Sequence, residues 1–186
     1  MKYLKMVDET SNAAREFLDK KKNLFEEAIQ CICERLGSGH KILVFGNGGS
    51  ASQAQHFAAE LVNKFLKRRP PFAAIALTTD TSALTSIAND ESYDQVFSRQ
   101  VEALGKKGDF ALGLSTSGNS ISVIKALEKA RELELTTIAM TGLGGGKLSF
   151  CSDFLLDVPF DSTPRIQEVH LLLLHIMAGE IEKRLT

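Results

Sequence analysis

The 186-residue chain reads as an α/β fold: a three-layer αβα sandwich built on a five-stranded parallel sheet, with a helical extension at the N-terminus. Three observations predict it. Five short, continuous apolar runs alternate with longer stretches of helical periodicity, the pattern of strands buried on both faces. Two of these runs, in "VFGNGGSAS" and "GLSTSGNSIS", pass straight into a Gly/Ser/Asn turn and then a helix. No linker-like or low-complexity stretch interrupts the series, so residues 1–186 read as one domain, with 1–36 the extension and 37–186 the sandwich.

Residues 3 to about 36 predict a helix, with room for a break near "DKKK". Leu24, Ala28, Cys31, Ile32 and Leu36 recur near the helical period, and "GSG" (37–39) punctuates the end. "KILVFG" (41–46) is a buried strand, and a helix follows from about Ser50 to Leu66. "FAAIAL" (72–77) is the second strand; "SALTSIAND" and "ESYDQVFSRQVEALG" read as helices. "DFALGLS" (109–115) is the third strand, with a helix over 120–133, then "TTIAMTG" (136–142) and "DFLLDVP" (153–159). The final helix spans 164–185, with Thr163 suited to its N-cap and Pro164 to its first position. Right-handed crossovers cover both faces of such a sheet, and the strand order expected is 2-1-3-4-5.

Composition narrows the function classes. A net charge of −1 supplies no electrostatic reason to expect nucleic acid or an acidic membrane surface as a partner, so any anion specificity has to be local. No apolar run has membrane-spanning length; the longest candidate, "LLLLHIMAG", is followed by "EIEKRLT". Three cysteines, an odd set without secretory context, predict reduced thiols and a cytoplasmic location. Cys31 and Cys33, two apart on a helix, point to different sides and make a poor zinc pair.

The two Gly/Ser turns should share the rim beyond the carboxyl ends of the strands, where such sheets bind ligands. A helix N-terminus offers unpaired N–H groups, glycine lets an anion approach, and Ser115, Thr116, Ser117 and Ser120 of "STSGNS" add hydroxyl donors. Caps and turns use the same residues, yet two such loops on one rim favour a phosphate or polyol ligand. "GNGGSA" matches the dinucleotide fingerprint, but the acidic residue expected about twenty positions on is replaced by "NKFLKRRP". Neither loop carries the lysine of a nucleotide-binding P-loop. A small phosphorylated metabolite is the better fit.

His56 and Glu60 lie four apart, on one face of the helix that starts at the first loop, and either metal binding or proton transfer suits them. The final helix offers Gln167, Glu168, His170 and His175; His170 reads as a surface residue and His175 as a core or interface histidine. Gln167 and His175 are eight residues apart, about 12 Å of rise and about 80° of rotation, too far to hold one ion from the same helix. If both act in one site, different copies of the chain supply them. The uninterrupted Leu171–Leu174 also favours an oligomer interface.

Taken together, "GNGGSASQAQHFAAEL", "ALTTDTSALTSIAND", "GDFALGLSTSGNS" and "RIQEVHLLLLH" resemble the sugar isomerase (SIS) domain family, over nearly the whole chain. Within it the chain is similar to members that convert sedoheptulose 7-phosphate to D-glycero-D-manno-heptose 7-phosphate, the first step toward ADP- or GDP-heptose for lipopolysaccharide or capsule. The resemblance implies a flavodoxin-like SIS fold and a cytosolic homotetramer with active sites between subunits. It implies one zinc per subunit on His56, Glu60, Gln167 and His175. It further implies substrate contacts from Asn47, Gly48, Gly49, Asn89, Asp90, Ser115, Thr116, Ser117 and Ser120, with Glu60 and Gln167 also reaching the sugar. In the implied reaction Glu60 is the carbon base and His175 its acid/base counterpart, paired across separate protomers. Some relatives are instead non-catalytic partners of the DnaA replication initiator or phosphosugar sensors; the presence of both Glu60 and His175 favours the enzyme. Lys64 and Pro164 stand where some members carry an arginine and an aspartate.

Overall fold

A computed structural model describes residues 1–186 and has the five-stranded sheet at its centre. The strands are β1 (Ile42–Gly46), β2 (Ala74–Ala76), β3 (Phe110–Ser115), β4 (Thr136–Thr141) and β5 (Phe154–Asp157), all parallel, in the order β2-β1-β3-β4-β5. That is the expected 2-1-3-4-5 order. The helices are α1 (Lys2–Gly37), α2 (Gly49–Val62), α3 (Thr81–Asp90), α4 (Ser98–Leu104), α5 (Ile121–Glu132) and α6 (Thr163–Leu185).

The apolar runs alternate between two cores because successive side chains on a strand point to opposite faces. Ile42 and Val44 pack with α1, α2 and α6, whereas Leu43 and Phe45 pack with α4, α5 and the partly buried side of α3. A strand buried on both sides thus reads as unbroken hydrophobicity, and this produces the three layers.

Several boundaries differ from the sequence reading. Helix α1 runs unbroken through Lys20–Lys22, because lysine is a good helix former and Phe17 and Phe25 keep one buried stripe across it. Their rings meet edge to face, 5.9 Å between centroids, and Lys21 reaches Asp157 of β5 at 2.6 Å. Helix α2 stops at Val62, four residues short of the expected end. Strand β2 is an edge strand of three residues. The segment after Asp90 is a short 3₁₀ turn, Tyr93–Gln95, followed by α4, since burying Val96 and Phe97 breaks the helix; Phe97 stacks on Phe45 at 5.5 Å. Helix α6 starts one residue early, with Ser162 in the cap position and Thr163 its first helical residue.

The histidines sort differently as well. His170, expected at the surface, is fully buried, because its side of α6 lies against the end of β4, where its Nε2 donates to the Thr141 carbonyl at 3.0 Å. All three cysteines are free. No helix is long and apolar enough to cross a membrane.

Candidate active site

The two Gly/Ser loops meet on the rim beyond β1 and β3, as the strand order requires. Gly48 sits at φ +54° and ψ −121°, a conformation open to glycine and strained for other residues, and it turns the chain from β1 into α2. Asn47 ties the loops together. Its amide donates to the hydroxyls of Ser120 (2.7 Å) and Ser122 (3.0 Å), and its carbonyl oxygen accepts from the Tyr93 hydroxyl at 2.7 Å.

Between the loops lies a cavity of about 360 Å³, lined by Asn47, Gly48, Gly49, Ser115, Thr116, Ser117, Ser120 and Gln167, with Thr163 at the start of α6. It contains no cationic side chain, so its affinity for an anion rests on hydroxyls, amides and helix N-termini. The second loop is held from behind. Gly118 (φ +64°) packs against the 142–146 turn so closely that an added Cβ would lie 2.0 Å from the Gly145 carbonyl oxygen.

A second cluster lies further along the same helices. Gln53 of α2 donates to the Gln167 carbonyl of α6 at 2.6 Å, and beyond that point His56 Nε2 meets His175 Nε2 at 2.8 Å. Glu60 lies 3.4 Å from His56 Nε2, and one ligand atom from each of His56, Glu60 and His175 falls within 4.8 Å of the others. The pairing of Glu60 with His175, expected between separate protomers, therefore forms within one chain. Packing of α2 against α6 brings it about, with Gln53 meeting Gln167 and His56 meeting His175 further toward the C-terminal ends of both helices.

The donor set suits zinc. Two ligand atoms on a tetrahedral zinc stand about 3.3 Å apart, given bonds of about 2.0–2.1 Å, and the His56 contacts of 2.8 and 3.4 Å bracket that spacing. Two ring nitrogens in direct contact must share one proton, and a cation satisfies both lone pairs instead.

Gln167 lines the hydroxyl cavity, its amide against Gly49, where an added Cβ would lie 2.6 Å from Nε2. In one chain it stands apart from the His56–Glu60–His175 group. Asn89 and Asp90 do not line the cavity; they end α3 exposed, with Asn89 Nδ2 donating to Asp90 Oδ1 at 2.7 Å. Tyr93, three residues on, is the one that touches Asn47. Sequence reasoning missed Tyr93, Ser122 and Phe65, whose ring stacks on His175 at 5.7 Å. Ser122 carried a usable signal, since it extends the Ser-rich turn; Tyr93 and Phe65 arrive through loops.

A protein-family profile described as a SIS domain matches residues 5–142, and the chain belongs to that family. Among its relatives is a phosphoheptose isomerase of Helicobacter pylori, 50% identical over 171 residues, covering 92% of this chain and 89% of that protein. A solved phosphoheptose isomerase of Neisseria gonorrhoeae superposes with a TM-score of 0.91 at 44% identity, covering 98% of this chain and 97% of that one. That of Francisella tularensis gives the same TM-score at 35% identity, with the same coverage.

Proposed function

We propose that this chain is an aldose–ketose isomerase that converts sedoheptulose 7-phosphate to D-glycero-D-manno-heptose 7-phosphate through an enediol. The observation that carries this reading is a carboxylate and two imidazoles gathered between α2 and α6, the same two helices whose first turns border a hydroxyl-lined cavity free of cationic side chains. Relatives and solved structures named phosphoheptose isomerase, 35–50% identical over most of the chain, support it.

Moving a carbonyl to the neighbouring carbon requires a base that takes a carbon-bound proton and returns it next door. A second group moves the proton between the two oxygens. Glu60 takes the carbon proton in this reading, and His175 serves the oxygens. The phosphate sits among Ser115, Thr116, Ser117 and Ser120, where it orients the sugar and takes no part in bond making. Gly49 and His56 are seven residues apart, about 10 Å of helix rise. That separation suits an extended ketose with its carbonyl near one end and its phosphate at the other.

His56, Glu60 and His175 would hold a zinc ion, which would supply a Lewis acid for the carbonyl oxygen. Gln167 joins that set from a neighbouring copy in this reading, and Asn89 and Asp90 approach the sugar likewise, in a cytoplasmic homotetramer. Incubation with sedoheptulose 7-phosphate tests the proposal: an aldose product is expected, reduced by chelator and restored by zinc. A panel of five- to eight-carbon ketose phosphates then ranks the substrate. A folded protein that yields no aldose from any of them overturns the reading in favour of a binding module.

A further inference from the structure

The loop that follows α2 is held by a buried ion pair outside the chemistry assigned above. Arg69, its side chain 1% exposed, donates from Nη2 to the Glu60 carbonyl (2.7 Å) and from Nη1 to the Leu61 carbonyl (2.8 Å), capping the last turn of α2. Its Nε donates to Glu182 of α6 at 3.2 Å. The two carboxylate oxygens of Glu182 also accept from three consecutive backbone amides, Phe65 (3.0 Å), Leu66 (2.9 Å) and Lys67 (2.8 Å). Charge-assisted bonds of this kind are among the stronger ones a fold can make, and four on one carboxylate fix the backbone at Phe65.

What the clasp holds in place is an aromatic ring over His175. Phe65 stacks on the imidazole with centroids 5.7 Å apart and planes 29° from parallel, while His56 meets the same imidazole edge-on at 5.0 Å and 70°. Gly179, one turn along α6 from His175, leaves the space that Phe65 fills; a Cβ there would lie 3.3 Å from Phe65 Cε1. One turn further along α6 stands Glu182 itself. The imidazole is thus bounded on two sides, and its stacked side is set by a carboxylate that touches none of the three clustered side chains.

We infer that Phe65, fixed by the Glu182–Arg69 clasp, is a positioning residue that sets the ring of His175 for its proton transfer. The inference rests on the isomerase reading, in which His175 serves the oxygens. Misplacing a reacting group by about 1 Å costs about 10²-fold in rate, so Phe65→Leu lowers kcat by about ten- to a hundredfold. KM changes little, because the phosphate cavity is untouched. Phe65→Tyr, which keeps the ring, restores most of kcat.

A second readout needs no turnover. In metal-free protein, the Cε1–H resonance of His175, assigned by its loss in His175→Gln, moves in Glu182→Gln although Phe65 is still present. Should Glu182→Gln not fold, Gly179→Val, which drives Phe65 outward from α6, takes its place. An unchanged kcat in Phe65→Leu, or a His175 resonance that stays at its wild-type position when the clasp is broken, overturns the inference. If the wild-type protein makes no aldose from sedoheptulose 7-phosphate, the functional reading falls, and the resonance alone decides the positioning role.

Discussion

His56, Glu60 and His175 form the smallest unit that carries the proposed chemistry, and they do so inside one chain. Glu60→Gln and His175→Gln should each lower kcat by orders of magnitude while the circular dichroism spectrum is unchanged; near-normal turnover in either rejects that residue's role. A different histidine governs acid stability. Burial of His170 pushes its imidazole down to about 4, only partly offset by its bond to the Thr141 carbonyl. Between that value and its ordinary 6.5 the unfolded chain binds the extra proton and the folded one does not. Stability is therefore complete above 6.5 and is lost as pH falls toward 4. The loss amounts to about 2 kcal/mol between pH 7 and pH 5. Urea unfolding of the wild type and of His170→Phe at both pH values checks this, the variant losing that part of the slope. Glu182 is shifted as well: burial would raise its carboxyl, but the amides of Phe65, Leu66 and Lys67 and the Arg69 guanidinium together hold it below the usual carboxylate range.

At the scale of elements, the hydroxyl loop depends on a turn remote from it in sequence. Gly118 and the glycines at 144–146 all adopt positive φ, and the backbone of Gly118 lies against those of Gly145 and Gly146. Gly118→Ala places a methyl against the Gly145 carbonyl at a conformation unfavourable to alanine. We expect a loss of about 1–3 kcal/mol in urea unfolding and a raised KM for the phosphosugar with a smaller change in kcat. A variant with wild-type KM would show that the loop keeps its shape without this contact. Asn47 is the other tie, since one side chain spans both loops and Tyr93. The loop after α2 is the third case: the sequence predicts a helix that continues to Leu66 in "NKFLKRRP", yet Glu182 and Arg69 draw this segment onto α6 as a loop.

For the molecule as a whole, one apolar surface lies outside the chemistry assigned above. Tyr3, Leu4, Met6 and Val7 on α1 are exposed, as is Leu172 on α6, and Tyr3, Met6, Val7 and Leu172 border one groove between the two helices. Exposed apolar residues gathered in this way mark contact surfaces, which agrees with the proposed homotetramer. Val7→Glu combined with Leu172→Glu should shift the species seen by light scattering from tetramer to a smaller form, with the helical spectrum retained. A wild-type protein that is monomeric at micromolar concentration would remove the oligomer from the proposal.

Much of the architecture follows from periodicity alone. Runs such as "KILVFG" and "TTIAMTG" must be strands covered on both faces, because no exposed strand tolerates continuous apolar residues; a covered parallel sheet with a shared rim follows from that, and 2-1-3-4-5, the common order for five strands, is the one observed. The pairing of His56 with Glu60 was legible too, since four residues is one helical turn. Only the tertiary structure decided that His175 joins them within the same chain, that Gln167 lies in the hydroxyl cavity, and that His170 is buried. The reason is physical: local sequence sets how a helix turns about its own axis, whereas the neighbour it lies against, and in which direction, is set by the packing of a whole layer. Contacts between α2 and α6 join residues more than a hundred positions apart, and no local pattern encodes them.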